Sequence, residues 1–333
     1  MRILYIDNRR YGHNADLHID FISFLHKNKY DRIIPYGDNL KRHFKDAISI
    51  NRRGVSKQLN KIIAKYKPHA ILTYNCNGSS YEVGLDNISL YKWVSDALSK
   101  VDIPKFHITT DYCRSGFRQD QAKWFEYVGC SAGIFRHKES LKYPLGVDKF
   151  WLPFSVDAGL YKKYGQKDVA KKNKKVGFIG TAHDTGKLYI NRMMAIDFLK
   201  KEKMLKTTSI VDKKKFKREM LFGPKYVRFI TGNMFGLTCG GTCNYFTAKY
   251  LQIPAAYSML VCADTNGLEM FPKDTYILFD RNNLEEMREK IMFHINNTGE
   301  TREKIDCLNK YVLEKHNHDK RARDLRRIIK RFV

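Results

Sequence analysis

Short apolar runs alternate with stretches of helical period along most of this chain, and no other feature narrows the fold as much. Arg2 to Asp7 alternates and ends in a charged loop, Asn8-Arg-Arg-Tyr-Gly-His-Asn14. Leu17, Phe21 and Leu25 then recur at period four, the spacing of one helix face. Tyr30 to Pro35 reads as a second strand with Gly37-Asp-Asn as its exit. Asn60 to Tyr66 closes another helix, and His69 to Tyr74 is a buried strand. Ile103 to Asp111 is a strand that ends in an acid. Strands separated by helices build a parallel sheet with crossover connections. Such sheets hold their ligands beyond the carboxyl ends of the strands, and His13, Asn75 and Asp111 fall there.

The second half repeats the pattern. The segment Phe150-Trp-Leu-Pro-Phe-Ser-Val-Asp157 changes character, and Lys162 to Lys175 is polar and lysine-rich, an exposed connection. Lys175-Val-Gly-Phe-Ile-Gly180-Thr181 opens a new sheet, its strand meeting a glycine and then a helix that bears Arg192. Leu205 to Ile230 carries the basic cluster Asp212-Lys-Lys-Lys-Phe-Lys-Arg218 and a strand at Tyr226 to Ile230. Next comes Thr238-Cys-Gly240-Gly241-Thr242-Cys-Asn, a glycine-rich turn running into a helix with Lys249 and Gln252 and a strand at Met259 to Ala263. Free N–H groups in such a turn, and the N-terminus of the helix after it, attract anions. Lys249 would add a point charge beside them. Taken by themselves these residues fit a diphosphate cradle or a plain turn into an amphipathic helix. A turn-rich loop with Glu269, a strand at Thr275 to Phe279, a helix at Asn283 to Ile295 and a last helix at Asp319 to Phe332 complete the chain.

Charge restricts the partners. The 333 residues hold 61 Lys and Arg against 35 Asp and Glu, a formal net of +26. Both halves share it: 28 basic and 17 acidic residues up to Ala170, 33 and 18 beyond. A field of that size favours a polyanion, whether nucleic acid, an anionic membrane surface or a phosphate-rich glycan. The bland alternative is lysine-rich solvated surface throughout. With 43% hydrophobic residues the chain can fill real cores, and 333 residues allow two domains. No apolar run reaches the roughly 18 residues a membrane span needs. The N-terminus reads as a strand rather than a signal peptide, and seven scattered cysteines fit a reducing compartment. Cys239 and Cys243 have no second pair at zinc spacing, so no metal site is expected.

The segment Lys249-Tyr-Leu-Gln-Ile-Pro-Ala-Ala-Tyr-Ser-Met-Leu-Val261 resembles the "(K/R)-x-(F/L)-E-I-P-A-x-G-x-L-L" segment of GT-B glycosyltransferases. Within them it is most similar to the spore-maturation-protein-like branch of the group 1 transferases. Phe150 to Asp157 resembles the "L-P-x-x-V-D" joint of that family, Lys175 to Gly180 its "V-x-F-I-G" strand, and Glu269 onward its tail. The resemblance covers residues 175 to 315, and the first domain by strand order alone.

It implies an α/β chain of GT-B type, with two Rossmann-like parallel-sheet domains facing across a cleft. The acceptor-side domain would span residues 1–157, with a linker at 158–174 and a nucleotide-sugar domain at 175–315. The helix at 316–333 would return to the first domain. It also implies a hexosyltransferase using a nucleotide-sugar, a UDP-sugar by expectation, with no required metal and room for a divalent ion. Lys249 and Arg192 would meet the donor pyrophosphate, with Gly180, Thr181, Gly240, Gly241 and Thr242 around it and Glu269 near the sugar. The family's ribose-binding acid is replaced here by Gln252, which can accept a hydrogen bond but brings no charge.

Sugar transfer with inversion needs a base for the acceptor hydroxyl proton. Asp111 at its strand end is the expected base, and Thr109-Thr110-Asp111 resembles the "F-T-D" strand end of phage DNA-base glucosyltransferases; a strand-end Asp also caps turns. His13 could face the acceptor, and His183 and Asp184 stand beside the donor loop. Charge makes DNA with a hydroxymethylated base the first acceptor expected. A cell-surface glycan or lipid-linked acceptor at an anionic membrane comes second. The remaining alternatives are a non-catalytic nucleic-acid-binding protein on the same scaffold and a sugar-nucleotide epimerase. The place of action would be the cytoplasm of a bacterium or a phage-infected host, at the membrane periphery under the second reading.

Overall fold

In a computed structural model, the structure describes all residues except 8–24, 26–28, 38–39, 41–43, 51–53, 75–93, 110–114, 181–188, 208–222 and 242–243, and only the backbone of 115–121. The chain divides into two compact units, Met1–Pro153 with Arg321–Val333, and Phe154–Lys320.

Unit 1 contains β1 (Arg2–Ile6), β2 (Arg32–Tyr36), α1 (Val55–Tyr66), β3 (Ala70–Tyr74), β4 (Lys105–Thr109), α2 (Ser115–Val128), β5 (Ala132–Phe135) and β6 (Asp148–Trp151). The strands form one parallel sheet in the order β2-β1-β3-β4-β5-β6. Successive side chains of a strand face opposite sides, and β1 obeys this. Ile3 and Tyr5 enter the core that also holds Leu72, Phe106 and Ile134, while Leu4 and Ile6 enter the other, with Ile71. That second core is covered by α1, through Val55, Leu59 and Ile62 at the spacing of one helix face, and by Trp124 and Phe125 of α2. A sheet covered on both faces explains why β3, β4 and β5 are buried along their whole length.

Unit 2 contains α3 (Ala158–Tyr164), β7 (Asn173–Phe178), α4 (Ile190–Lys201), β8 (Leu205–Thr207), α5 (Gly223–Thr231), β9 (Asn233–Thr238), α6 (Lys249–Ala255), β10 (Met259–Cys262), β11 (Ile277–Leu278), α7 (Leu284–Asn296) and α8 (Thr298–Lys315). Its parallel sheet has the order β11-β10-β9-β7-β8. Residues 158–174, expected as a linker with an exposed stretch from Lys162 to Lys175, carry α3 and a 3-10 turn at Val169–Lys171, with Tyr161, Val169 and Lys172 buried. Asp157 caps α3, its carboxylate accepting from the N–H groups of Gly159 and Leu160 at 3.2 and 3.3 Å.

One expected strand is a helix. Tyr226 to Ile230 lies inside α5, where Val227, Ile230 and Thr231 are buried. Aromatic and β-branched residues favour strands, but these recur at i, i+3 and i+4, and the helical period prevails. The strand is the next segment, β9, buried at all six positions.

The last helix, α9 (His318–Ile329), starts in unit 2 and ends in unit 1. Ala322, Leu325, Ile328 and Ile329 fill the first core of unit 1, and Phe332 meets Phe106 and Phe150 edge-on at 5.4 and 6.0 Å.

Candidate functional site

Three carboxyl-end features of the unit 2 sheet converge on Lys249. The first is close packing of α6 on β9. A Cβ at Gly236 would stand 2.7 Å from the Ile253 side chain, so glycine there lets the helix approach the strand. The second is the turn after β9. A Cβ at Gly240 would overlap the Tyr245 backbone, Gly241 has φ +69°, and the Tyr245 N–H returns to the Gly240 carbonyl at 3.2 Å. The third is Gly180 beyond β7, at φ +144°, where a Cβ would lie 2.5 Å from Lys249 Nζ. Glycine at this position makes room for the ammonium.

Arg192 of α4 joins from the other side. Its guanidinium is buried, lies 3.9 Å from the Tyr189 ring centroid and donates to the Cys239 carbonyl at 3.2 Å. Lys249 Nζ and the Arg192 guanidinium stand 5.5 and 5.8 Å from the centroid of one ring, Phe178. Among the described residues Lys249 has neither a carboxylate partner nor a hydrogen-bond acceptor. Burial pushes its ammonium down to about 7, and the neighbouring Arg192 acts in the same direction. Two cations on one aromatic floor, beside a glycine without a side chain, form a place where an anion would relieve repulsion. α6 has seven residues, with Pro254 inside and no side-chain cap, so the attraction arises from the cations rather than from a long helix dipole.

The other expected donor residues are placed differently. Gln252 Oε1 accepts from Tyr226 OH of α5 at 2.9 Å. Glu269 is exposed and its Oε2 accepts the Gly267 N–H at 2.7 Å, at a residue with φ +113°. Its carboxylate therefore ties its own turn. Thr181, Thr242, Asp111, His13, Asn75, His183 and Asp184 lie outside the described residues.

In unit 1 the carboxyl edge of the sheet holds buried charge that sequence reasoning passed over. Asp7 follows β1, is fully buried, and accepts from Tyr5 OH at 2.9 Å. Arg136 follows β5, is 1% exposed, and its N–H bonds the Thr109 carbonyl at 3.2 Å. The signal was a charged residue directly after an apolar strand, the position that already singled out Asp111. A separate cavity of about 720 Å³, lined by Lys273, Tyr276, Leu278, Lys290, Phe293 and His294, lies at the β11 edge of unit 2 and shares no lining residue with the Lys249 cluster. Among the described residues no His, Cys, Asp or Glu cluster could hold a metal, and no helix is long and apolar enough to cross a membrane.

No family model and no curated protein matches the chain. Solved structures do. Anabaena Alr3699/HepE in complex with UDP-glucose matches at TM-score 0.68 and 11% identity, over 100% of both chains. An alpha-glucosyltransferase in complex with UDP and a 13-mer DNA containing a central A:G mismatch matches at 0.67 and 12%, over 99% of this chain and 100% of that one. The same enzyme name recurs for a complex with UDP-glucose and DNA containing an abasic site, at 0.67 and 12%, over 99% and 98%. The fold is GT-B. At these identities the likeness concerns the path of the chain, and the GT-B expectation of two parallel α/β sheets is met on the strands of the described residues.

Proposed function

We propose that the protein is a glycosyltransferase that moves a sugar from a UDP-sugar to an acceptor hydroxyl. The observation that carries this reading is the pair Lys249 and Arg192 against Gly180, two cations without a carboxylate on Lys249 among the described residues, in unit 2 of a fold shared with UDP-bound structures. In this reading the donor diphosphate lies between the two cations, which stabilise the charge that grows on UDP as the anomeric C–O bond breaks. The acceptor oxygen forms the new bond to the anomeric carbon, and its proton passes to Asp111. Thr181 and Thr242 flank the phosphates, and Gln252, held by Tyr226, faces the ribose. The Lys249–Val261 segment supports kinship with the spore-maturation-protein-like branch.

The acceptor in this reading is polyanionic, first of all DNA with a hydroxymethylated base. The net charge of +26 supports it, as does the presence among the structural neighbours of a complex with DNA containing an HMU base. Such an enzyme works in the cytoplasm, where nucleotide-sugars and DNA meet.

Titration calorimetry with UDP and UDP-glucose tests the donor site. Lys249→Ala should weaken binding by about 1.5–3 kcal/mol, roughly ten- to a hundredfold, the value of a hydrogen bond to a charged group. Equal affinity in the variant would remove the site. Asp111→Asn should abolish transfer to hydroxymethylated DNA and leave UDP binding unchanged, because an amide cannot take the proton. Near-normal turnover would place the base elsewhere.

A further inference from the structure

The edge of unit 1 where its strands begin is a second surface, and around β2, β3 and α9 it is dominated by cations. Arg32, Lys65 and Lys67 stand exposed at the starts of β2 and β3. From α9 come Arg323 and Arg327, spaced i and i+4 on one helix face, and from the turn after it Lys330 and Arg331, all four exposed. Several of these side chains rest on rings instead of carboxylates. Arg32 and Lys65 lie 5.7 and 5.0 Å from the Tyr66 centroid, Arg331 lies 5.2 Å from Phe150, and Arg323 lies 5.8 Å from Tyr30 while donating to its hydroxyl at 2.8 Å. Such stacking holds the cations in place without neutralising them.

Two of the nearby acids are already paired with cations. Asp31 is buried and takes the Met1 amino group at 3.3 Å and Arg326 at 3.5 Å. Asp324 takes Arg321 at 2.9 Å and Arg327 at 3.2 Å. Asp102 and Asp148 remain as exposed acids at the starts of β4 and β6.

The partner follows from what this surface lacks. A helix that binds a bilayer lays its apolar face into the lipid, but the apolar face of α9 is consumed by the unit 1 core. Of the exposed large hydrophobic residues, Val333 and Tyr127 belong to this end of the unit, and Tyr127 gives its hydroxyl to Asp96 at 2.6 Å. What remains is charge held on a rigid frame, suited to a rod of regularly spaced phosphates. We propose that this surface binds the phosphate backbone of a nucleic acid independently of base sequence. It lies at the opposite end of the strands from Asp7, Thr109 and Arg136, so it is a tether outside any acceptor pocket at the carboxyl edge. The proposal stands whether or not DNA is the acceptor.

The experiment measures binding of the full-length protein to plain duplex DNA, free of modified bases, across a salt series. Each lost phosphate contact lowers the slope of log K against log salt by about 0.9. The variant Arg32→Gln, Arg327→Gln, Lys330→Gln, Arg331→Gln should therefore lose up to about 3.6 of slope. Its thermal melt and UDP affinity should stay as in the parent; if it does not fold, Lys330→Gln with Arg331→Gln is read instead. The comparison set, Lys162→Gln, Lys167→Gln, Lys171→Gln, Lys174→Gln, removes four exposed lysines of unit 2 and should keep the slope. An unchanged slope in the first variant, or an equal loss in both, overturns the proposal. So does a parent protein that binds phosphatidylserine vesicles but no duplex. Loss of UDP binding in the parent would count against the donor reading alone, since that readout does not involve this surface.

Discussion

At Lys249 the chain holds an ammonium where solvation is poor and a guanidinium is close, and pH reports the consequence. Its proton is bound less firmly in the folded protein, at about 7, than in the unfolded chain at about 10.4. Between those values the unfolded state carries more protons, so this group adds stability to the free protein as pH rises through the window. Donor binding runs the other way. Below about pH 7 the ammonium is already charged, and affinity for UDP-glucose, whose diphosphate does not titrate there, should be flat. Above it the site must take up a proton, and affinity should fall by up to about tenfold per pH unit. Calorimetry in two buffers of different ionisation enthalpy would detect that proton uptake at pH 8; a pH-independent affinity from 6 to 9 would refute it. Only part of this cluster was legible in the sequence. Gly180, Arg192 and Lys249 are separated by as many as 69 positions and were linked through a family pattern, whereas the structure brings them against one ring. Tyr226 as the partner of Gln252 was illegible, because nothing local in a sequence tells which helix will pack beside which.

Among the elements, α6 depends on a residue of β9. Gly236 permits Ile253 to lie on the strand, and Ile253 is one turn beyond Lys249 on the same short helix. Gly236→Ala should push α6 outward at a cost of about 1–3 kcal/mol, typical of overpacking, and should weaken UDP binding without touching a phosphate ligand. A lowered melting temperature with unchanged UDP affinity would show that α6 and Lys249 move independently. The elements themselves were mostly readable: β1, β3, β4, β10 and α7 fall where periodicity and apolar runs put them. The exception, α5 read as a strand, shows where such reading fails. Five residues rich in Tyr, Val, Phe and Ile satisfy strand propensity, and only the longer window from Gly223 to Thr231 exposes the helical period.

For the whole molecule, unit 1 is not continuous in sequence. Its first core takes Leu325, Ile328 and Ile329 from beyond unit 2. Burying each such side chain contributes about 1.5–3 kcal/mol, so three together approach the roughly 5–15 kcal/mol that a domain has in all. Ending the chain at Lys320 should unfold unit 1 while unit 2 keeps its protection. Hydrogen exchange would show fast amides in β1 to β6 and slow ones in β7 to β10; uniform protection would contradict this.

That discontinuity also sets an order of assembly on the ribosome. Domains ordinarily fold as they emerge, the N-terminal one first, at about 5–20 residues per second. Here the first sheet to be synthesised stays without its covering helix until everything from Phe154 to Lys320 has been made. The second unit can close earlier although its synthesis starts later. For several seconds or more the nascent chain would carry an open apolar sheet face, a natural client for a holding chaperone, and slowing translation between residues 154 and 320 should lower the soluble yield rather than raise it.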